Sequence, residues 1–543
     1  MMRDAGEARQ STGLSTRKEL ALLFAFFHLL YAASSPGDLM TDSQTRWNVA
    51  VRLVDTGWVD VTPESAALYA RGVDGRLYMP WSLGQSLLLV PFVAAGRMIA
   101  ALPLPLPGDA QMYGQFLACM LLFPALGALS AALVYCIALD AGASRRAARW
   151  AAICLGLATM HWQHSVNSVD ESQAAVCILL ALWATQRAWS ASDAAVPGPP
   201  PLRFRYSLIA CVAAGAGLWF RLPSVLFIGV IVTLGALFEL CALAGAGARL
   251  RAVLRWAIAG LIGFAPLVLA YGWFNSVRFG SPLETGYERV MHERLGVGLF
   301  DTPLWFGAAG MLVSPGKGLF VFDPVLLLAI PGIVALWRAN RRLAGIVAAV
   351  FVASVLFHGR HTTWAGDLTW GTRYLVSQLG VWVLALLPRL ERPRLGAAFK
   401  WLFSLSVAIQ VSSVVYNYGL EFFQDRRHGL IPDGYIWRPA ESQLACRVAN
   451  IFRHLSGRPN YDSIPPAVVR PELHHLLTTQ DEVRRLHAVH FFPFKALAAT
   501  GNRKLFVALL VCWLALLAAL LATGAYWRRR VVADARHRCE PSS

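Results

Sequence analysis

The apolar stretch ELALLFAFFHLLYAASS, residues 19–35, decides the class of fold, because it is about the length that a helix needs to cross a membrane. It follows two basic residues, Arg17 and Lys18, and it carries one acid, Glu19, at its start. A secretory signal peptide has the same form. In either case the loop that follows lies outside the membrane, and we expect the segment to be retained as a span.

The composition of the whole chain agrees with this beginning. Of its 543 residues, 56% are hydrophobic and 15% are charged, and the mean hydropathy is +0.48. These values are typical of a multi-span membrane protein and exclude a string of soluble domains. The formal net charge of +17 therefore indicates basic cytoplasmic loops and not a nucleic-acid partner.

Further apolar runs predict an all-α polytopic protein with about 12 transmembrane helices, each near the roughly 20 residues that a span requires. These runs lie at 114–139, 147–163, 169–188, 206–221, 223–243, 255–274, 323–338, 342–358, 373–389, 400–419 and 504–527. Basic residues fill every second gap, so both termini are expected in the cytoplasm. One more run, 86–104, breaks the alternation if it crosses. We therefore expect it to be a juxtamembrane helix in the outer interface.

This pattern divides the chain into a transmembrane module and two flanking parts. We expect a cytoplasmic tail at 1–18, a module at 19–420 with outer loops at 36–113, 275–322 and 358–372, an outer (periplasmic) segment at 421–503, a last span at 504–527 and a cytoplasmic tail at 528–543. Most cysteines fall in or beside spans and none forms a CxxC pair, so neither a disulfide framework nor a thiolate zinc site is predicted.

The first outer loop begins with an acidic pair in SPGDLMTDSQTRW, residues 35–47. The spacing Thr-Asp-Ser-Gln predicts a helix that starts at Asp42 and runs to about Asp55. Asp42 is then either a simple first-turn residue or a fixed carboxylate that can take a proton from a hydroxyl at the membrane surface. Asp38, which precedes the helix, is a second and less rigid candidate.

Later in the same loop, DGRLYMPWSLGQSLL (residues 74–88) opens with a turn signal and brings Tyr78 and Trp81 to the interface. Anchoring in the interface explains both aromatic residues, and they are also candidates for one wall of a cleft.

A second acidic pair, Asp170 and Glu171, lies in the turn HWQHSVNSVDES, residues 161–172. These carboxylates are either solvated helix caps or partners that face Asp42, where they could hold a divalent cation or orient an acceptor. The HxxH spacing of His161 and His164 recurs twice in the chain, but two ligands are too few for a zinc site.

Two further outer stretches carry cations and tryptophans. SPGKGLFVFDP (residues 314–324) does not fit a phosphate loop, although its Gly-Lys-Gly turn could aim Lys317 at an anion or mark the interface. An aromatic belt would explain the tryptophans of HGRHTTWAGDLTWGTRYL (residues 358–375) but not its two arginines and its aspartate. The side chains that suggest phosphate and sugar or isoprenoid contacts there are Arg360, Trp364, Asp367, Trp370 and Arg373.

The outer segment near the C-terminus contains AESQLACRVANIFRHL, residues 440–455. Its apolar residues share one helical stripe, which suits a helix that lies on the bilayer or a plain amphipathic linker. The residues of the stripe are Leu444, Val448, Ile451, Phe452 and Leu455.

The order of these stretches, together with RFGSPLETGY (residues 278–287), resembles that of the GT-C glycosyltransferases. The similarity is to bacterial relatives of protein O-mannosyltransferases and of the lipid A aminoarabinose transferase, and it covers roughly residues 18–420. The resemblance implies a bacterial inner-membrane enzyme that transfers a sugar, with inversion, from a polyprenyl-phosphate donor to an acceptor hydroxyl on the periplasmic face.

The resemblance also implies roles for the candidate residues. Asp42 matches the first-loop aspartate that acts as base or orients the acceptor, and Asp170 or Glu171 matches the second acidic position. Lys317, Arg360 and Arg373 become candidates for the donor phosphate. The chain departs from the family at Ser43, where a second acid is usual, so a requirement for a divalent cation (Mg²⁺ or Mn²⁺) stays open.

Two other functions fit a polytopic protein with charged outer loops. One is a transporter or flippase of a lipid-linked sugar, which usually shows paired repeats and ionisable groups near the mid-membrane. The other is a non-catalytic assembly subunit that only binds lipid. The partners expected of an enzyme are the polyprenyl-phosphate sugar donor, membrane lipid, and an envelope glycan, lipid or protein acceptor.

Overall fold

Helices account for nearly all the regular structure of the chain. The computed structural model describes residues 15–39, 41–63, 68–103, 108–190, 200–366, 369–417, 420–421, 433–458 and 488–539. The predicted site residue Asp367 and the histidine at position 487 lie outside these ranges.

The helices of the first half of the chain run from the first span to the second wide loop. They are α1 (Thr16–Ala33), α2 (Thr41–Thr56), α3 (Gly84–Ala100), α4 (Ala110–Leu117), α5 (Phe123–Asp140), α6 (Arg145–Ala158), α7 (His161–Val166), α8 (Glu171–Ser190), α9 (Pro200–Phe220), α10 (Ser224–Ala242), α11 (Ala246–Ala259), α12 (Ala265–Phe279) and α13 (Tyr287–Leu295). Single π-helical turns, Ala118–Leu122 and Gly260–Phe264, join α4 to α5 and α11 to α12.

The second half continues with shorter and more broken helices. They are α14 (Leu304–Val313), α15 (Leu319–Phe322), α16 (Ala329–Ala339), α17 (Arg341–Arg360), α18 (Leu379–Val383), α19 (Leu387–Leu390), α20 (Ala397–Val415), α21 (Asp433–Trp437), α22 (Gln443–Leu455), α23 (Phe492–Thr500) and α24 (Arg503–Cys539). Short 3₁₀ turns lie at Pro324–Leu328, Arg373–Gln378, Leu384–Leu386 and Pro439–Glu441.

Every apolar run predicted as a span coincides with a helical segment. Among the described residues, six helical stretches are individually long and apolar enough to cross a membrane: Ala110–Asp140, Ser224–Ala242, Ala246–Phe279, Arg341–Arg360, Ala397–Val415 and Arg503–Ala533. The chain is therefore a multi-pass membrane protein by the length and composition of its helices. The number of about 12 crossings stays a prediction.

The outward faces of these helices are apolar as well. Leu269 and Trp273 on α12 are 72% and 69% exposed, and Trp401 on α20 is 77% exposed. Water does not favour so much exposed apolar surface, whereas lipid chains do. The small residues and broken helices face inward, where α5, α6 and α8 pack into one buried core with the segment Arg373–Leu390.

The first outer loop is folded rather than extended. Helix α2 confirms the predicted start of a helix near Asp42, and α3 confirms a helix in the run 86–104. A small antiparallel sheet, which the sequence did not predict, lies between them. Its strands β1 (Asp60–Val61), β2 (Ala70–Arg71) and β3 (Leu77–Tyr78) have the order β1-β3-β2. Gly75, at a φ of +79°, forms the turn before β3.

Helix α22 presents its apolar side outward and its polar side to the protein. Gln443, Arg447 and Asn450 are buried, whereas Phe452 and Leu455 are 68% and 79% exposed. The Arg447 guanidinium is fully buried and donates from Nε and Nη2 to the two carboxylate oxygens of Glu421, at 2.6 and 2.7 Å. This polarity is the reverse of that of a helix on a soluble protein and suits a helix that lies on lipid.

The two C-terminal helices, α23 and α24, contact the first helix of the chain and the residues that follow it. Helix α24 packs along α1, and the indole of Trp513 donates to the carbonyl of Ala33 at 2.7 Å. Before it, α23 crosses the end of α1, and the backbone N–H of Phe492 donates to the carbonyl of Ser35. The loop that leads into α2 is thereby held from both sides.

Candidate active site

Asp42 is held at the start of α2 by an arginine from the far end of the sequence. Both terminal nitrogens of Arg373 lie 3.3 Å from one oxygen, Oδ2, of Asp42. The Asp42 side chain is 20% exposed and that of Arg373 is 16% exposed. A carboxylate in the first turn of a helix is also favoured in its ionised form by the helix dipole. Asp42 is thus fixed, charged and still reachable from outside.

The turn that carries Arg373 is built on a glycine. Gly371 has a φ of +60°, and a side chain there would collide with the sulfur of Met160. The turn directs Arg373 toward α8 as well as α2, since its Nε lies 3.2 Å from Oε1 of Glu171. This contact is an ion pair without a well-aimed hydrogen bond, because the Nε–H has no acceptor in line.

The second acidic pair is bridged by Arg221, which follows the last turn of α9. One nitrogen, Nη1, donates to Oδ1 of Asp170 at 3.0 Å and to Oε1 of Glu171 at 2.7 Å. The other oxygen of Asp170 accepts from Nη2 of Arg46 at 3.0 Å. Arg46 stands one helical turn after Asp42 on α2, so the same helix contributes to both ends of the arrangement.

Six side chains thus form one charged cluster: Asp42, Arg46, Asp170, Glu171, Arg221 and Arg373. The acids and the guanidiniums are equal in number, so the cluster is neutral as a whole. Asp170, in the turn before α8, meets a guanidinium at each of its two oxygens, Arg46 at one and Arg221 at the other.

Aromatic rings wall the charged cluster on two sides. The guanidinium of Arg46 lies 5.0 Å from the ring centre of Trp81, and those of Arg221 and Arg373 lie 5.2 and 5.5 Å from the ring of Tyr374. Rings placed in this way attract the cations and exclude water from one side. Trp81, a predicted wall residue, thus contacts one arginine of the charged cluster, and its role in a cleft stays a prediction.

The turn that holds Asp170 is strained and pinned from the first loop. Ser168 has a φ of +56°, a left-handed conformation that a serine rarely adopts. Its carbonyl accepts from the hydroxyl of Ser43 and from the amide of Gln85, the latter at 2.8 Å. Ser43 thus has a structural task, and a carboxylate in its place would oppose a carbonyl oxygen.

Lys317 lies beside the same loop as Arg373 but does not join the charged cluster in the contacts described. It is fully buried, and its Nζ donates to the carbonyl of Thr369 at 2.5 Å. The ring of Tyr435 lies 5.7 Å from this nitrogen. The loop can approach α21 so closely because Gly316 has no side chain, which would otherwise strike the carbonyl of Tyr435.

Two predicted charges are engaged elsewhere. The carboxylate of Asp38 accepts from Nζ of Lys495, on α23, at 2.6 Å. The exposed guanidinium of Arg360 donates to the carbonyl of Phe300 at 3.0 Å. Neither residue contacts Asp42 in the part of the chain that the structure describes.

The remaining aromatic candidates make packing and hydrogen-bond contacts within the loops. Tyr78 is buried on β3 and donates to Asp74 at 2.7 Å, and burial raises its pKa to about 12. Trp364 packs across Gly310, and Trp370 lies edge-on to Phe322 beneath the buried Arg447. Trp364 and Trp370 thus pack within the loop that carries Arg373, whereas Tyr78 belongs to the sheet of the first loop.

The histidines and acids do not fit a metal site. A ring nitrogen of His161 lies 3.1 Å from the carbonyl of Gly127, and one of His164 lies 3.0 Å from that of Met160. Within the described ranges, no three or more His, Cys, Asp or Glu side chains come together around a common point. In the charged cluster each carboxylate already faces a guanidinium, so a divalent cation would have to displace one.

Sequence reasoning overlooked two members of the charged cluster. Arg46 could have been found, because it lies one turn from Asp42 on the predicted helix. Arg221 stood out in the sequence as a charge at the end of a span, but its pairing with Asp170 and Glu171 depends on the packing of α8 against α9. Lys495 gave no signal, because nothing in the sequence relates it to the first loop.

The chain is similar to solved structures of two other proteins. One is ArnT from Cupriavidus metallidurans bound to undecaprenyl phosphate, at 14% identity over 92% of this chain and 76% of that chain, with a TM-score of 0.47. Another is the archaeal oligosaccharyltransferase AglB from Archaeoglobus fulgidus, in complex with an inhibitory peptide and a dolichol-phosphate, at 13% identity over 78% of this chain and 60% of that chain, with a TM-score of 0.41. No protein-family model and no curated protein sequence matches the chain.

Proposed function

We propose that this protein is an integral membrane glycosyltransferase that moves a sugar from a polyprenyl-phosphate donor to an acceptor hydroxyl, with inversion at the anomeric carbon. The observation that carries the proposal is the position of Asp42. It is a carboxylate in the first turn of α2, partly exposed, and paired with an arginine that can also meet a phosphate. The sequence resemblance to the GT-C class supports the same reaction.

In the proposed reaction Asp42 is the general base. It accepts the proton of the acceptor hydroxyl while that oxygen forms a bond to the anomeric carbon, and the bond from this carbon to the phosphate oxygen breaks. The polyprenyl phosphate leaves with the bonding electrons. The growing negative charge on the phosphate is stabilised by Arg373. Lys317, which lies between α14 and α15 and donates to the carbonyl of Thr369 on the Arg373 loop, is the second candidate cation.

Asp170 and Glu171 have a different role in this proposal. They are more deeply buried than Asp42, and Arg221 bridges them. They therefore position the guanidiniums rather than exchange protons. Asp38, already bound to Lys495, is the weaker candidate for the base. We derive no step that uses a divalent cation, because the carboxylates do not fit one.

The proposed location follows from the basic loops. With every second gap basic, the charged cluster and the loops of Lys317 and Arg373 belong on the periplasmic side of a bacterial inner membrane, and both termini belong in the cytoplasm. ATP and sugar nucleotides do not occur on that side, so a lipid-linked donor is required. The acceptor is an envelope glycan, a lipid or a protein.

The decisive experiment is transfer from a radiolabelled polyprenyl-phosphate sugar pool into membrane and glycan fractions, comparing wild type with Asp42→Ala at matched expression. We expect label to move in the wild type and to stay in the donor with the variant. Unchanged transfer in Asp42→Ala would reduce Asp42 to a first-turn residue. No transfer by the wild type would favour a flippase or a lipid-binding subunit, which a vesicle assay for movement of the lipid-linked sugar would then distinguish.

A further inference from the structure

We propose that Arg373 is an exchangeable countercharge that occupies the place of a divalent cation between Asp42 and Glu171. The catalytic consequences of this inference rest on the proposed function. The geometry that supports the inference is independent of that function. Arg373 is the residue of the charged cluster that joins the first acidic site to the second, with Nη1 and Nη2 on Asp42 and Nε near Glu171.

The hold of Arg373 on Asp42 is weak compared with the other contacts of the charged cluster. Its two nitrogens share one oxygen at 3.3 Å, whereas Arg221 reaches Glu171 at 2.7 Å and Asp170 at 3.0 Å. Charge-assisted hydrogen bonds are usually about 2.7–2.9 Å long. The Asp42 end of the bridge is therefore the one that a ligand can open.

Exposure points to the same end. The side chains of Asp42 and Arg373 are 20% and 16% exposed, and those of Glu171 and Arg46 are 0% and 1% exposed. A ligand that enters from outside meets the Asp42–Arg373 pair first. The buried pairs behind it keep their geometry and hold Arg373 in reach.

Charge balance decides which ligand fits. The charged cluster is neutral, so a divalent cation would leave two positive charges in excess in a buried site, a costly arrangement. A phosphate diester, with one negative charge, can instead take Arg373 from Asp42. The carboxylate is then left without its cation, at the moment when a base is needed beside the acceptor hydroxyl.

A second observation concerns two buried polar atoms on residues that face Arg373. The other oxygen of Glu171, Oε2, is buried and has no hydrogen-bond partner, and Nε2 of His164 is in the same condition. Removal of the Arg373 guanidinium leaves Asp42 and Glu171 facing the space it occupied. One or two carboxylates and water are a common ligand set for Mg²⁺ and Mn²⁺.

The test is Mn²⁺ binding, measured by electron paramagnetic resonance on the purified full chain in detergent. We expect Arg373→Ala to bind Mn²⁺ tighter than wild type by about tenfold or more, because a neighbouring positive charge is gone. The gain should disappear in the double variant Arg373→Ala with Asp42→Ala. Arg52→Ala is the matched control, since Arg52 also pairs with an aspartate, Asp60, in the first outer loop.

Two results would overturn the inference. One is Mn²⁺ binding by the wild type that depends on Asp42, and the other is a folded Arg373→Ala protein that binds no more Mn²⁺ than wild type. If Arg373→Ala does not fold, Arg373→Gln carries the same test. Where transfer activity is established, added guanidinium should restore it to the Arg373→Ala protein, and a chelator should leave the wild type unaffected. The metal-binding result does not depend on that activity.

Discussion

Asp42 and Arg373 are separated by 331 positions in the sequence, yet one oxygen of Asp42 lies 3.3 Å from two nitrogens of Arg373. The pair joins the first outer loop to the loop after α17. A carboxylate alone at the start of α2 would be an ordinary first-turn residue. With Arg373 beside it, the same carboxylate becomes part of a site that can receive an anion and a hydroxyl together.

Replacement of Asp42 by alanine should reduce transfer by about two to three orders of magnitude. The estimate follows from the loss of one well-placed charged group at a reacting centre. Asp42→Asn should be almost as inactive, because an amide keeps the shape but does not accept the proton. The measurement is the rate of label transfer in membranes with equal amounts of each protein.

Asp38→Asn is the matched comparison on the same loop. Its carboxylate is bound to Lys495, so we expect a loss of less than about tenfold, arising from a looser entry to α2. A result in which Asp38→Asn is inactive and Asp42→Asn is active would exchange the roles of the two acids.

Arg221→Met should destabilise the protein more than it changes its chemistry. The substitution leaves Asp170 and Glu171 buried with fewer cations, and the loss of one partner of a buried ion pair costs about 3–5 kcal/mol. We expect a lower thermal unfolding midpoint in detergent. Arg187→Met, which removes a half-exposed partner of Asp140 at the other end of α8, should lower it less.

Stability should depend on His361 between about pH 4 and pH 6.5. Burial, and then the charges of Arg221 and Arg373, lower the pKa of His361 from 6.5 to about 4. In this interval the unfolded chain binds a proton that the folded protein does not, so His361 destabilises the fold as the pH falls through 6.5 toward 4.

The measurement is the unfolding midpoint of wild type and His361→Gln across this range. The decline of the wild type should exceed that of the variant, and the two should run in parallel above pH 7. A difference that is constant from pH 4 to pH 8 would contradict the assignment.

Arg447→Ala should release helix α22 from the body of the protein. Besides Glu421, the guanidinium donates to the carbonyls of Ser412, Tyr416 and Asn417 at 2.9, 3.1 and 2.8 Å. We expect faster hydrogen exchange in Gln443–Leu455 than in the wild type. Arg453→Ala, in the last turn of the same helix, should leave the exchange of its first two turns unchanged.

Ser43→Asp should be more harmful than Ser43→Ala, even though it introduces the second acid that is usual in the class that the motifs resemble. The alanine loses the hydrogen bond that Ser43 donates to the carbonyl of Ser168 and the one that it accepts from Gln85, each worth about 1 kcal/mol. The aspartate adds repulsion between its carboxylate and that carbonyl. Thermal unfolding compares the two variants, and a Ser43→Asp protein as stable as wild type would contradict this account of Ser43.

The sequence predicted those features that depend on local patterns. Apolar length predicted the helical runs, and the spacing around Asp42 predicted the start of α2. It also selected Asp170, Glu171 and Arg373 as candidate site residues, with solvated helix caps as the alternative for the two acids.

It could not predict which charges meet. The pairing of Arg221 with two carboxylates depends on how α8 packs on α9, and the bond from Lys495 to Asp38 crosses almost the whole chain. The sheet of the first loop was missed for a related reason. Strands of two residues are too short to show an alternating pattern, and only their pairing through β3 defines them.

The bond between Lys495 and Asp38 also bears on the order in which the protein is made. The two residues are 457 positions apart, so the first outer loop is translated long before the lysine that holds it. Asp42 likewise gains its cation only when residue 373 has been synthesised. Until those residues are made, Asp38 and Asp42 have neither of these two partners. A nascent chain that stops before α17 contains all three carboxylates of the charged cluster but lacks one of its three arginines, Arg373.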